Sequence, residues 1–178
     1  MTKADGASAE LAITQLILAV FKLNGRLVAA GDRLVGTLGL TSARWQVLGA
    51  LVLQDGKATA SDAARVMGLT RQSVQRLATA MIGEGLIEPT ANPRHVRAPL
   101  LKLSSKGKAA YAAAARRQSP WARTLAEGVP IGQLASTEAL ILTLASCLEE
   151  QAAADRAQRQ RGRALTPTGT RRAKKARA

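Results

Sequence analysis

Aromatic residues are nearly missing from this 178-residue chain: one Phe, one Tyr and two Trp, 2% in all. A core must therefore be assembled from Ala, Leu, Val and Ile, which favours helices, because Ala and Leu are strong helix formers. Stacking on single-stranded nucleic acid is also disfavoured, since it depends on exposed ring platforms. A single cysteine excludes an intrachain disulfide framework. With one histidine beside it, neither a His/Cys metal cluster nor a Cys–His nucleophile with a separate base is supported. There is no Gly-rich phosphate loop and no pair of carboxylates at catalytic spacing. The expectation is no catalytic residues, no metal, no cofactor and no enzyme. No run of eighteen apolar residues occurs, so neither a membrane span nor a membrane partner is expected. The first residues lack a basic region followed by an apolar run, so no secretory signal is read and the cytoplasm is the expected location.

Acidic residues are also scarce. Twelve Asp and Glu stand against 26 Lys and Arg, a net charge of +14. Such a balance points to a polyanionic partner. Residues 156–178 hold nine of the cations and no acid. The other seventeen cations and all twelve acids lie in 1–155, which leaves +5 there. Segment 56–108 alone has nine basic and three acidic residues, so the surplus of the body is concentrated in it.

That segment has the layout of two short helices, a tight turn and a basic hairpin. Thr59 can cap the first helix through its hydroxyl, and Asp62 suits the positive end of the helix dipole. Ala63, Ala64, Val66 and Met67 give a small apolar face. Gly68 suits the left-handed position that ends a helix, and Thr70 caps the next at once. So short a turn makes the two helices cross steeply. On the second helix Val74, Leu77, Ala78 and Met81 fall at helical spacing and are predicted to face inward. Beside Thr70, the outward arc holds Arg71, Gln72, Ser73, Gln75 and Arg76, all hydrogen-bond donors. Arg fits guanine O6/N7 and Gln fits adenine N6/N7 in bidentate pairing. Gly85 ends the helix and Leu86–Glu88 reads as a strand. The stretch from Pro89 to Pro93 carries turn signals, Arg94, His95 and Arg97 lie at the tip, and Leu100, Leu101 and Leu103 form the return strand. Ser104 or Ser105 caps the helix that follows. The predicted interface for double-stranded DNA is thus Thr70, Arg71, Gln72, Ser73, Gln75, Arg76, Arg94, His95 and Arg97.

The stretches LTSARWQVLGAL, ASDAARVMGLTRQSVQRLATAMIGEGLIE and NPRHVRAPLLKLSSKG resemble the MarR family of bacterial transcriptional regulators. The resemblance is specific from about Leu40 to Tyr111 and weaker over the flanking helices. It implies a fold that is mainly α with a small β-hairpin wing, a winged helix-turn-helix with flanking dimerisation helices. It further implies a homodimer, commonly a repressor, often released by oxidation or by a small-molecule effector held between the dimerisation helices and the winged domain. The family wing usually carries Asp-x-Arg, in which the Asp braces an Arg entering the minor groove. Here the triplet is His95-Val96-Arg97: the Arg is kept and the Asp is not.

Four regions are expected: an N-terminal dimerisation helix over 1–40, the winged motif over 41–107, C-terminal dimerisation helices over 108–155, and a basic disordered tail over 156–178. In the first, Ile13, Leu16, Ile17, Val20, Phe21, Leu27 and Leu34 repeat at helical spacing, with Gly25 and Gly31 as candidate bends. Thr41 caps a second helix, in which Trp45 reads as a core anchor. Gln118-Ser119-Pro120 is predicted to interrupt an Ala-rich helix, and Gly128-Val129-Pro130 to end it. In the last helix Leu134, Ile141, Leu144 and Leu148 form one stripe, with Leu140 and Cys147 beside it. Cys147 is expected to serve packing rather than redox sensing. An architectural, largely non-specific DNA-coating protein is the alternative function.

Overall fold

The computed structural model describes residues 3–164, and α1 (Lys3–Val35) begins the chain. The helix is unbroken at Gly25 and Gly31. At Gly31 the missing side chain matters for another reason. A Cβ there would lie 2.2 Å from the Ser42 hydroxyl. The absence lets the start of α2 (Ser42–Leu53) press against α1, and the Ser42 amide donates to Asp32 at 2.6 Å. A single 3-10 turn (Gly36–Leu38) joins the two, and Thr41 caps α2 by accepting from the Arg44 amide.

Next come α3 (Ala60–Met67) and α4 (Arg71–Gly83), then the antiparallel pair β1 (Ile87–Thr90) and β2 (Leu100–Leu103). The register sets Ile87 opposite Leu103 and Glu88 opposite Lys102. The latter pair also forms an ion pair at 3.4 Å. The hairpin gains a third, one-residue rung where the Leu101 amide donates to the Ala58 carbonyl at 2.8 Å. The core lies beneath these elements. Val35, Val47, Leu48, Leu51, Val74, Met81 and Ile87 are its largest fully buried side chains. None is aromatic, as the composition required. Val66, predicted on the inner face of α3, is instead exposed.

Helix α5 (Ser105–Ala126) continues through Pro120, contrary to the predicted interruption. Proline removes one amide donor, but the helix is tied on both sides of that point. Ala114 is buried, Trp121 is half-buried, and the Arg117 guanidinium donates to the Leu34 carbonyl at 3.0 Å and to the Thr37 hydroxyl. The chain divides between Leu125 and Ala126. Beyond a short link lies α6 (Ile131–Ala164). It runs on past Asp155, so the start of the segment read as a disordered tail is helical; residues 165–178 lie outside the described residues.

Much of α1 and α6 is uncovered in the single chain. Leu11, Leu18, Phe21 and Leu23 on α1 are exposed, as are Leu140, Leu142 and Leu148 on α6. Cys147 is exposed too, so the packing expected of it is not made within one chain. By length and mean hydropathy, 1.5 and 1.4 in their most apolar stretches, the helices spanning Gly6–Leu38 and Ile131–Arg161 could cross a membrane. A search for uninterrupted apolar runs misses this, because isolated polar residues such as Lys22 and Arg26 break the run without lowering the mean much.

Candidate nucleic-acid interface

The helix–turn–helix is fixed by local chemistry at each end. At the start of α3, Thr59 and Asp62 form a reciprocal capping box. The Thr59 hydroxyl and amide donate to Asp62 Oδ2 at 2.7 and 2.9 Å, and the Asp62 amide donates back to Thr59 Oγ1 at 3.3 Å. These donors, the hydroxyl foremost, hold the Asp62 carboxyl below its ordinary value, and Arg65 adds to the effect. Gly68 ends α3 at φ +63°, and Thr70 caps α4 by accepting from the Ser73 amide at 3.2 Å. The Ser73 hydroxyl shares a 2.8 Å hydrogen bond with Thr70. These two predicted contacts are therefore engaged in shaping the first turn of α4.

The rest of α4 divides as its spacing predicted. Val74, Ala78 and Met81 are buried and Leu77 half-buried, while Arg71, Gln72, Gln75 and Arg76 are exposed. Residues four apart share a helix face, so Arg71 pairs with Gln75 and Gln72 with Arg76. At its far end α4 is clamped to α2, where the Arg44 guanidinium meets the Glu84 carboxylate through two bonds, one of 2.9 Å. The Lys106 ammonium donates to the Glu84 carbonyl at 2.8 Å.

The hairpin stands against the same helix. Ser104 organises its base: the hydroxyl donates to the Gly85 and Leu86 carbonyls at 2.6 and 3.1 Å and accepts from the Gly107 amide at 3.0 Å. Ser104, rather than Ser105, is thus the cap of α5. At the tip Asn92 closes the loop from both sides. Its Nδ2 donates to the Ala98 carbonyl at 2.7 Å and its Oδ1 accepts from the Arg94 amide at 3.1 Å. The Ala98 amide donates to the His95 carbonyl at 3.0 Å. This ring of bonds presents Arg94, His95, Val96 and Arg97 outward, all exposed.

Between α4 and the hairpin lies a cleft of about 970 Å³. Arg71, Gln72, Gln75 and Arg76 line one wall, Arg97, Ala98 and Pro99 the other, and Thr59 and Ser61 the floor. No acidic side chain lines it. The structure thus brings five of the nine predicted residues to one concavity. Thr70, Ser73, Arg94 and His95 lie outside its lining. Ser61 and Asn92 went unread in the sequence, for neither is charged and both act through surroundings that only folding supplies.

A second cavity, about 450 Å³, opens among α1, α2 and α5. Trp45, Tyr111 and Trp121 line it with Asn24, Gln46 and Gln118. Three of the four aromatic residues in the chain meet here. Trp45 is half-buried against the core, as anticipated, and also faces this space.

Residues 38–98 match the MarR family. An uncharacterised protein of Mycobacterium tuberculosis is 38% identical over 125 residues, 70% of this chain and 86% of that protein. Among solved structures, a mutant MarR from E. coli complexed with operator DNA aligns with a TM-score of 0.66 at 19% identity, over 75% of this chain and 95% of that one. CouR from Rhodococcus jostii bound to p-coumaroyl-CoA aligns with a TM-score of 0.66 at 19% identity, over 73% of this chain and 91% of that one. Likeness at such identities attests the fold.

Proposed function

The chain belongs to the MarR family of winged-helix transcription regulators, DNA-binding proteins rather than enzymes, and on that premise we propose that it is a homodimeric, sequence-specific repressor relieved by a small molecule. The observation that carries this reading is the cleft between α4 and the hairpin, with Gln72, Gln75, Arg71 and Arg76 facing Arg97 and no acid in its lining. A face of Arg and Gln on a protruding helix suits the major groove, where every base pair shows a distinct donor–acceptor pattern. Arg97 at the wing suits the minor groove or its phosphates, where readout is mostly A·T against G·C. Thr70, Ser73, Arg94 and His95 are suited to backbone contacts, which position without specifying.

Dimerisation is supported by the uncovered apolar side chains of α1 and α6. On α1, Leu11, Leu18, Phe21 and Val28 recur at spacings of seven, three and seven, the seam of a helix that packs on another helix. Lys22 and Arg26 interrupt the same stretch. Charges there are costly in hydrocarbon but harmless at the edge of an interface in water, which favours a partner subunit over a membrane. The cytoplasm is the corresponding location.

The effector reading rests on the cavity of Trp45, Tyr111 and Trp121. Its lining has amides and hydroxyls but no Lys, Arg, Asp or Glu, which suits a flat, uncharged molecule. That CouR was solved bound to p-coumaroyl-CoA supports a small-molecule effector for a protein of this fold.

Selection from a random duplex library tests the proposal. Recovery of an inverted repeat with half-sites one helical turn apart, about 34–36 Å between recognition helices, is the expected outcome. A pool without a consensus would favour the architectural alternative.

A further inference from the structure

Helices α2 and α5 form two walls of the cavity that holds Trp45, Tyr111 and Trp121. Each of them also sends one cation to the far end of α4. From α2, the Arg44 guanidinium donates to both oxygens of the Glu84 carboxylate, at 2.9 and 2.5 Å. From α5, the Lys106 ammonium donates to the Glu84 carbonyl at 2.8 Å. All three charges stand at the unfavourable end of their own helices. Arg44 and Lys106 lie in first turns, where the helix dipole disfavours a cation, and Glu84 lies at the C-cap of α4, where it disfavours an acid. Local helix stability therefore does not explain them. Nor does the strength of the ion pair: the Arg44 and Glu84 side chains are 24% and 42% exposed, and ion pairs open to water contribute little. What a two-pronged guanidinium–carboxylate contact does fix is direction. Glu84 stands between Gly83 and Gly85, so neither chain neighbour has a side chain to hold this end of α4.

We infer that Arg44 and Lys106 are positioning residues: through Glu84 they set the tilt of α4 against DNA, and they carry the filling of the aromatic cavity to that helix. The inference deepens the effector reading above and rests on it. Arg44 adjoins Trp45 in the chain, and Ser42, Trp45 and Gln46 from the same stretch of α2 line the cavity. Ser42 is already pressed on α1, where a Cβ at Gly31 would collide with its hydroxyl. A molecule seated beside Trp45 therefore displaces the start of α2 as a unit, and Arg44 moves with it. On α5, Tyr111 faces the cavity just over one turn beyond Lys106. Both walls thus converge on one residue of α4, at the end opposite its capped first turn.

Gly49 allows a test without a known ligand. It lines the cavity, and a Cβ there would meet the Tyr111 ring at 3.7 Å, an ordinary contact. Leucine at this position serves as a fixed occupant. Affinity for the selected duplex should be measured for Gly49→Leu in the otherwise native full chain and in the backgrounds Arg44→Gln, Glu84→Gln, Lys106→Gln and the exchanged pair Arg44→Glu with Glu84→Arg. In the native background Gly49→Leu should weaken binding at least about fivefold, the lower end of usual couplings between sites. With Arg44→Gln or Glu84→Gln the same substitution should have less than half that effect, with Lys106→Gln an intermediate one, and the exchanged pair should restore most of it. Equal weakening in every background would overturn the inference and leave the effector reading standing. Unchanged binding by Gly49→Leu, with its urea midpoint kept, would remove that reading and the inference with it. A second measurement needs no filled cavity. Because coupling is reciprocal, the selected duplex should alter acrylamide quenching of Trp45 in the Trp121→Phe chain and should not when Arg44→Gln is added. Quenching that ignored the duplex in the first chain, or responded equally in both, would overturn the inference.

Discussion

Asp62 shows how a single carboxylate supports the DNA-facing motif. Its proton affinity is lowered in the folded chain by the Thr59 hydroxyl and amide and by Arg65. A carboxyl depressed on folding stabilises the fold fully above its unfolded value, near 3.8, and that stabilisation disappears as pH falls through the lower folded value. Asp62→Asn should therefore abolish this part of the acid sensitivity, and Thr59→Ala should cost about 1 kcal/mol at neutral pH. Melting curves across pH 2–6 check both; identical acid profiles for wild type and Asp62→Asn would refute the assignment. Gly107 is a harder constraint. A Cβ there would stand 1.9 Å from the Leu86 carbonyl oxygen, a backbone atom that cannot swing aside. Gly107→Ala should therefore lower stability by more than about 2 kcal/mol, read by urea denaturation, since it breaks the Ser104 junction as well as crowding it. The caps at Thr59 and Thr70 were legible in the sequence because a cap spans only three residues. Gly107 was not, because its neighbour Leu86 is brought close only by the hairpin.

Elements were legible to the extent that their causes were local. The hairpin was announced by the Leu100–Leu103 run and the turn signals before it. Its third rung at Ala58 was not, since one backbone bond leaves no trace in composition. Pro120 misled because a breaker was read without the packing that holds α5 together around it. Charge was read as disorder from Arg156 onward, whereas residues 156–164 continue α6. At the wing, the sequence showed a missing Asp before Arg97, and the structure supplies two bonds from Asn92 that close the same loop. Asn92→Ala should therefore weaken the contribution of Arg97. Each lost bond is worth on the order of 1 kcal/mol, and the loss should fall on A·T-rich flanks. In a double-mutant cycle, adding Asn92→Ala to Arg97→Ala should have little further effect on binding. Fully additive losses would show that Asn92 acts independently of Arg97.

At the scale of the whole molecule, the proposed dimer rests on large apolar side chains that are exposed along α1 and α6. Sedimentation should show a stable dimer at micromolar concentration. Leu18→Glu with Phe21→Glu should shift it to monomer and reduce DNA affinity without unfolding the winged motif; a native chain that remained monomeric would contradict the assembly. The function assigned to that dimer rests on a division of labour between α4 and the wing. The most direct measurement is the affinity of Arg76→Ala and Arg97→Ala for the selected duplex and for a random one, at one fixed salt and with the dimer verified. Arg76→Ala should cost about 1–3 kcal/mol on the selected duplex and less on the random one, because only the former offers the matching base edge. Arg97→Ala should weaken both more evenly. Equal losses from Arg76→Ala on the two duplexes, with discrimination at central base pairs erased by Arg97→Ala, would contradict the account.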